Sequence, residues 1–176
     1  LANGSSPAPV YAHLVDAHRA GRVSFADVTG VLLDEYVGLP PGHARSYRSE
    51  IARSFLDHVD LPAHAVLVPD PHASDLDAGC ERFEQAIDDL GGIDLQLLGI
   101  GADGHIGFNE PGSSLMSRTR VVELHPITRR DNARFFTDLD QVPRRAITQG
   151  IATILQARRL VVIATGVAKA EAVAAA

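Results

Sequence analysis

The sequence predicts an α/β fold, a Rossmann-like, doubly wound and mainly parallel sheet with helices on both faces, and three observations carry that expectation. Short apolar runs recur at residues 28 to 33, 65 to 68, 93 to 100 and 160 to 164. Between them lie segments whose apolar side chains follow helical spacing, so strands and helices alternate along the chain. Alternation of this kind implies parallel strands joined by right-handed crossovers. Finally, glycines crowd the carboxyl end of the run at 93 to 100, which is where open α/β sheets bind ligands.

Taken in order, LANGSSP at residues 1 to 7 reads as the end of a strand, a small-residue turn and a helix start, with Ser6 as N-cap and Pro7 at the first helical position. Such a turn is either an ordinary cap or an anion site built on outward-facing amides, and the residues alone leave both open. Val10, Leu14 and Val15 give the helix an apolar face, and Gly21 stops it. The run at 28 to 33 is interrupted by Gly30 and ends in Asp34, Glu35 and Tyr36. Acids at a strand's carboxyl end are either solvated turn residues or the catalytic groups of a doubly wound sheet.

Gly38, Pro40, Pro41 and Gly42 make a loop, and residues 44 to 58 carry helical spacing through Tyr47, Ile51 and Phe55, with Tyr47 as core or pocket wall. A short strand at 65 to 68 precedes an amphipathic helix at 75 to 90 with Ser74 as its N-cap. After the central strand at 93 to 100, residues 118 to 124 alternate like a strand, 126 to 136 and 143 to 155 read as helices, and 160 to 164 as another buried strand. Thr165 and Gly166 open the last helix, with Lys169 in its first turn. A cation there is unfavourable to the helix dipole unless an anion sits nearby.

The 176 residues, 45% of them hydrophobic, suit a single domain, and the absence of an initiating methionine with an alanine-rich end predicts truncation at both ends. A net charge of −6 without a basic stripe argues against nucleic acid or an anionic membrane as partner, and no apolar run reaches spanning length. The single cysteine, Cys80, excludes an internal disulfide and a thiolate zinc cluster. A cytoplasmic location is expected.

The chemistry concentrates where Asp103, His105 and Glu110 fall within eight residues, beside Gly101 and Gly104. GIGADG fits a dinucleotide turn, but that turn should lead straight into a small-residue helix, and His105 and Glu110 stand there instead. A metal site would want a second imidazole or a thiolate at ligand spacing. A satisfied core histidine is the structural alternative. Acid–base catalysis fits all three groups together.

GADGHIGFNEPGSSLMSRTR resembles the signature of the glucosamine-6-phosphate deaminase (isomerising) family, and DEYVGLP at residues 34 to 40 resembles its second signature. The similarity continues through ARFF at 133 to 136, QVPRRAITQGIATIL at 141 to 155 and the Lys169 region. The related 6-phosphogluconolactonases share the G-x-G-x-D-G-H turn but continue differently, and NEP at residues 109 to 111 favours the deaminase.

The resemblance implies conversion of glucosamine 6-phosphate and water to fructose 6-phosphate and ammonia, with no cofactor and no metal. It makes His105 the ring-opening acid–base tuned by Asp103 and Glu110, and Asp34 the carrier of a proton between C2 and C1. Gly4, Ser5, Ser6, Arg134 and Lys169 would meet the phosphate of this small amino sugar. Monomers and hexamers both occur in the family, so a homo-oligomer is one of the expected states. Regulated members bind N-acetylglucosamine 6-phosphate through a serine pair, an arginine and a lysine. Ser113, Ser114 and Arg120 match, whereas Val122 stands at the lysine position, so weak or absent activation is expected. The rival readings are a lactone hydrolase and a non-catalytic sugar-phosphate sensor, which has no reason to keep Asp34, His105 and Glu110 together.

Overall fold

The computed structural model describes residues 1–175, whose seven strands form two parallel pairs and one antiparallel sheet. The parallel pairs are β1 (Gly30–Val31) with β3 (Val66–Leu67), and β4 (Gln96–Gly99) with β7 (Leu160–Ile163). In the antiparallel sheet β6 (Arg145–Thr148) is central, flanked by β2 (Asp34–Val37) and β5 (Arg120–Glu123).

Helices cover both faces of the parallel strands, as a doubly wound arrangement requires. From α1 (Ala8–Arg19) and α2 (Tyr47–Ser54), Tyr11, Val15, Ile51 and Phe55 form one cluster, and Leu97 of β4 packs against it. On the opposite side, Phe83 and Ile87 of α3 (Leu76–Asp89) meet Val31 and Leu67, while Ile154 of α5 (Ile151–Leu155) meets Leu98. Successive side chains of a strand point to opposite faces, and Leu97 and Leu98 divide between the two layers accordingly. The α/β expectation is borne out. The antiparallel sheet is an addition that the run pattern did not predict.

The largest correction concerns residues 143 to 155, expected as one helix. They form strand β6 and then, after Gly150, the short helix α5. Ala146, Ile147 and Thr148 are 0% exposed. Burial of three successive residues shows no period of two, and pattern alone does not separate such a stretch from a buried helix. Gly150 then admits the neighbouring chain, since a Cβ there would stand 2.1 Å from the Ser117 carbonyl oxygen.

Smaller corrections follow the same local logic. Asp34 and Glu35 do not end a strand; they begin β2, so the chain passes from the parallel ladder to the antiparallel one between Leu33 and Asp34. Helix α1 starts at Ala8 with Pro7 as N-cap, and Ser6 does not cap it. Tyr11, Val15 and Ala17 are its buried residues, and Gly21, at φ +67, follows its end. Asp75, not Ser74, caps α3, accepting the Ala78 N–H at 3.0 Å.

The helix expected over 44 to 58 narrows to α2 and a 3-10 turn at Leu56–His58. That over 126 to 136 becomes α4 (Pro126–Asn132) and a 3-10 turn at Ala133–Phe135. Lys169 closes a 3-10 turn (Val167–Lys169) ahead of α6 (Ala170–Ala175), so it is not in the first turn of an α-helix and the dipole argument lapses. Strand β7 is not buried: Leu160, Val161 and Val162 are 39%, 41% and 51% exposed, with β4 its one strand partner among the described residues.

Candidate active site

The carboxyl end of β4, the start of β2, the turn before α1 and the end of α4 surround a cavity of about 570 Å³. Asp34, His105, Gly4, Ser5, Ser6, Arg134 and Lys169 all line it, although they lie far apart in sequence. Asp103 and Glu110 do not line it; Asp103 bonds His105 and Glu110 bonds Thr128, both of which do.

Asp34 is 5% exposed. Burial disfavours its charged form, and the neighbouring Glu35 charge adds to that, so its carboxyl is pushed up to about 8. Glu35 has a separate task. One of its oxygens accepts the Tyr36 and Tyr47 amides at 2.8 and 2.9 Å, and the other accepts the Arg48 amide at 2.8 Å. That places a carboxylate at the N-terminus of α2, where the helix dipole favours it.

Beyond β4 the chain folds back on itself, with the Gly101 N–H donating to the His105 carbonyl at 2.8 Å and the Gly104 N–H to the Gly101 carbonyl at 3.2 Å. Gly104 takes φ +94, which a glycine adopts without strain. The turn brings Asp103 Oδ1 to 2.6 Å from His105 Nδ1, and the same oxygen accepts the His105 amide at 3.2 Å. Partial burial works against the Asp103 charge, yet the His105 amide and imidazole prevail and hold that carboxyl below its ordinary value. An ionised Asp103 favours the tautomer with its proton on Nδ1, leaving Nε2 as the atom able to exchange protons.

Glu110 accepts from the Thr128 hydroxyl at 2.7 Å. The ligand-capable atoms of Asp103, His105 and Glu110 lie within 4.8 Å of one another. A resident cation does not fit this donor set well, because the Asp103–His105 separation is that of a hydrogen bond and Glu110 is already engaged.

Gly101 is where the turn has least room. A Cβ there would stand 2.3 Å from His105 Nδ1, 2.4 Å from its Cε1 and 2.5 Å from Asp103 Oδ1. Gly101→Ala is therefore expected to displace the imidazole and lower kcat by about 10²-fold, the scale set by a misplacement of 1 Å. Steady-state kinetics beside a thermal melt check this: a large loss of stability with unchanged kcat would contradict it.

Three cations, Arg130, Arg134 and Lys169, gather on the cavity of a chain whose net charge is −6. The Arg134 guanidinium lies 4.7 Å from the centre of the Phe135 ring. Arg130 was not singled out from the sequence, though it precedes Arg134 by four residues, the helical spacing that puts two side chains on one face. Helix α1 offers the cavity fewer amides than expected. Pro7 and Pro9 have no N–H, and the Val10 and Tyr11 amides both bond the Pro7 carbonyl.

Tyr47 is a pocket wall. Its ring stacks on Phe108 at 5.8 Å, and its hydroxyl donates to that of Tyr36 at 3.3 Å, which also accepts from Asn132 at 2.9 Å. Two further residues, Thr148 and Gln149, escaped the sequence reading because they lay inside the segment taken for a helix. They bond the segments that carry Asp34 and His105.

Over residues 1–176 the chain matches the family described as glucosamine-6-phosphate isomerases/6-phosphogluconolactonase. It is 56% identical over 173 residues to the glucosamine-6-phosphate deaminase of Arthrobacter sp. (strain FB24), covering 98% of this chain and 66% of that relative. To the glucosamine-6-phosphate deaminase of Mycolicibacterium smegmatis it is 56% identical over 174 residues, covering 98% of this chain and 67% of the relative. The chain thus spans about two thirds of the length of these curated relatives. Among solved structures, a monomeric glucosamine-6-phosphate deaminase superposes with a TM-score of 0.96 at 46% identity, over 99% of this chain and 73% of that one. The 6-phosphogluconolactonase of Thermotoga maritima, at 18% identity and a TM-score of 0.74 over 98% of this chain and 72% of that one, shares the fold.

Proposed function

The chain belongs to the glucosamine-6-phosphate isomerase and 6-phosphogluconolactonase family, and we propose that its cavity is the site of an isomerising glucosamine-6-phosphate deaminase. The observation that carries this reading is the placement of Asp34, buried and pushed up to about 8, on the same cavity as an imidazole bonded to Asp103. A carboxyl that changes protonation near neutral pH suits general acid–base work, whose efficiency is greatest when the catalytic group titrates near the working pH.

In the reaction, His105 Nε2 takes the proton of the C1 hydroxyl and passes it to the ring oxygen, opening the sugar to its aldehyde. Asp34 removes the C2 proton while the aldehyde oxygen takes one from the substrate's ammonium, giving an enolamine, and Asp34 then returns its proton to C1, leaving a protonated imine at C2. Water adds to that imine, which collapses to the ketone of fructose 6-phosphate with loss of ammonia. Each proton taken up by a side chain is given back, so the site is restored. Glu110 and Asp103 stabilise the imidazole, and Ser5, Ser6, Arg130, Arg134 and Lys169 receive the phosphate.

A lactone hydrolase needs no proton carrier between two carbons, and a sensor needs no acid–base pair, so the buried Asp34 beside the cavity speaks against both. Ammonia release from glucosamine 6-phosphate, compared with hydrolysis of 6-phosphogluconolactone, tests the proposal. Turnover of the lactone alone would overturn it. The substrate is an intracellular metabolite, which supports a cytoplasmic location, and no helix among the described residues is long and apolar enough to cross a membrane.

The phosphate assignment has its own expected result. Arg134→Ala removes a charge-assisted contact of about 1.5–3 kcal/mol and should raise KM for the phosphorylated sugar about ten- to a hundredfold. KM values for glucosamine with and without the phosphate check it. An unchanged ratio between the two would place the phosphate elsewhere.

A further inference from the structure

Thr148 ends β6 and Gln149 follows it, and together they hold both segments that carry the proposed acid–base groups. On one side, the strand register sets Thr148 opposite Asp34. The Gln149 N–H donates to the Leu33 carbonyl at 2.9 Å, and its side-chain Nε2 donates to the Leu32 carbonyl at 3.0 Å. Leu32 and Leu33 immediately precede Asp34. On the other side, the Thr148 hydroxyl oxygen accepts the Phe108 N–H at 3.2 Å, and the Gln149 carbonyl accepts from Asn109 Nδ2 at 2.8 Å. Phe108 and Asn109 close the loop that His105 begins.

Both residues are 0% exposed, and neither lines the cavity. Gly107 keeps the contact close: a Cβ on it would stand 2.9 Å from the Thr148 hydroxyl oxygen.

We propose that Thr148 and Gln149 are positioning residues that fix the separation of Asp34 from His105, by holding the strand that carries one and the loop that carries the other. The inference rests on the assignment of Asp34 and His105 made above. The titratable groups that face Asp34 are Glu35 and Tyr36 on β2, Tyr11 on α1 and Tyr47 on α2. None of them is altered by a change at position 149.

Gln149→Leu deletes the donor to Leu32 and keeps the backbone bonds. It should lower kcat for glucosamine 6-phosphate about 10- to 100-fold with little change in KM, as expected when reacting groups are misplaced but substrate contacts remain. Asp34, followed by carbon-13 NMR of labelled aspartate in the protein without substrate, should titrate lower than in the parent, because a carboxyl freed to move gains water. Thr148→Val acts on the His105 side, so it should lower kcat and leave the Asp34 titration in place.

If leucine is not tolerated, Gln149→Met, unbranched and without a donor, is read in the same way. An Asp34 titration unmoved by loss of the Gln149 donor, or a variant that melts earlier while its kcat is unchanged, would overturn the proposal. The titration needs no substrate, so a parent protein that released no ammonia would refute the reaction and leave the positioning role to be decided by the NMR.

Discussion

Asp34→Asn is expected to lower kcat by about 10²–10⁴ while leaving binding of the sugar phosphate nearly intact, since the loss of a general acid–base group falls on the chemical step. The amide keeps the size and polarity of the side chain but cannot take the C2 proton. In the parent, kcat/KM should rise with pH toward about 8, where Asp34 becomes ionised and competent as a base. That acidic limb should vanish in the residual activity of the variant.

The same group makes a stability prediction of definite sign. An unfolded aspartate titrates near about 3.9. The folded state therefore holds a proton on Asp34 over a window, from about 4 to about 8, in which the unfolded state has lost it. Folding stability from this group is fully present below the lower value and falls as pH rises through the window. Asp34→Asn removes the dependence and should melt higher than the parent at pH 8, with the gap closing toward pH 4. Near-normal kcat in the variant would remove Asp34 from the chemistry.

His105→Gln should lower turnover of the closed sugar by a similar factor, about 10²–10⁴. The imidazole is held by Asp103 Oδ1 at 2.6 Å, in a turn that a single Cβ at Gly101 would disrupt, so its placement is specific. If its task is ring opening, an open-chain analogue bypasses the defect and recovers part of the rate. Equal loss on closed and open substrates would move His105 to the isomerisation step. Glu110→Gln should show a weaker version of the same pattern, because Glu110 lies near the imidazole without lining the cavity.

The parts of the site that the sequence made legible are those held by local chemistry. Asp103 and His105 are two residues apart, and glycines on either side of Asp103 announce the turn that joins them. The GSSP turn was likewise visible in its residue types, whereas Arg134 came with the family resemblance and the helix-start argument for Lys169 does not survive its place in a 3-10 turn. What brings them to one cavity is tertiary, and local pattern carries no trace of it. Thr148 and Gln149 illustrate this. Thr148 ends a strand that is central to an antiparallel sheet and buried over three successive residues, so the strand shows no period of two and a helix would serve equally well; Gln149 follows it. The helix caps failed for a simpler reason: Ser6 and Ser74 are each followed by a residue, Pro7 and Asp75, that takes the capping position itself. For β7, an apolar run predicted burial, whereas burial also depends on what lies alongside.

The central claim is that this cavity moves a proton off C2 of an amino sugar phosphate. Glucosamine 6-phosphate deuterated at C2 tests it most directly, with ammonia release timed and the label followed by NMR. A primary isotope effect, with deuterium leaving C2 for C1 or for water as ammonia and fructose 6-phosphate form in equal amounts, is the predicted result. No ammonia, or ammonia released with the label still on C2, would contradict it.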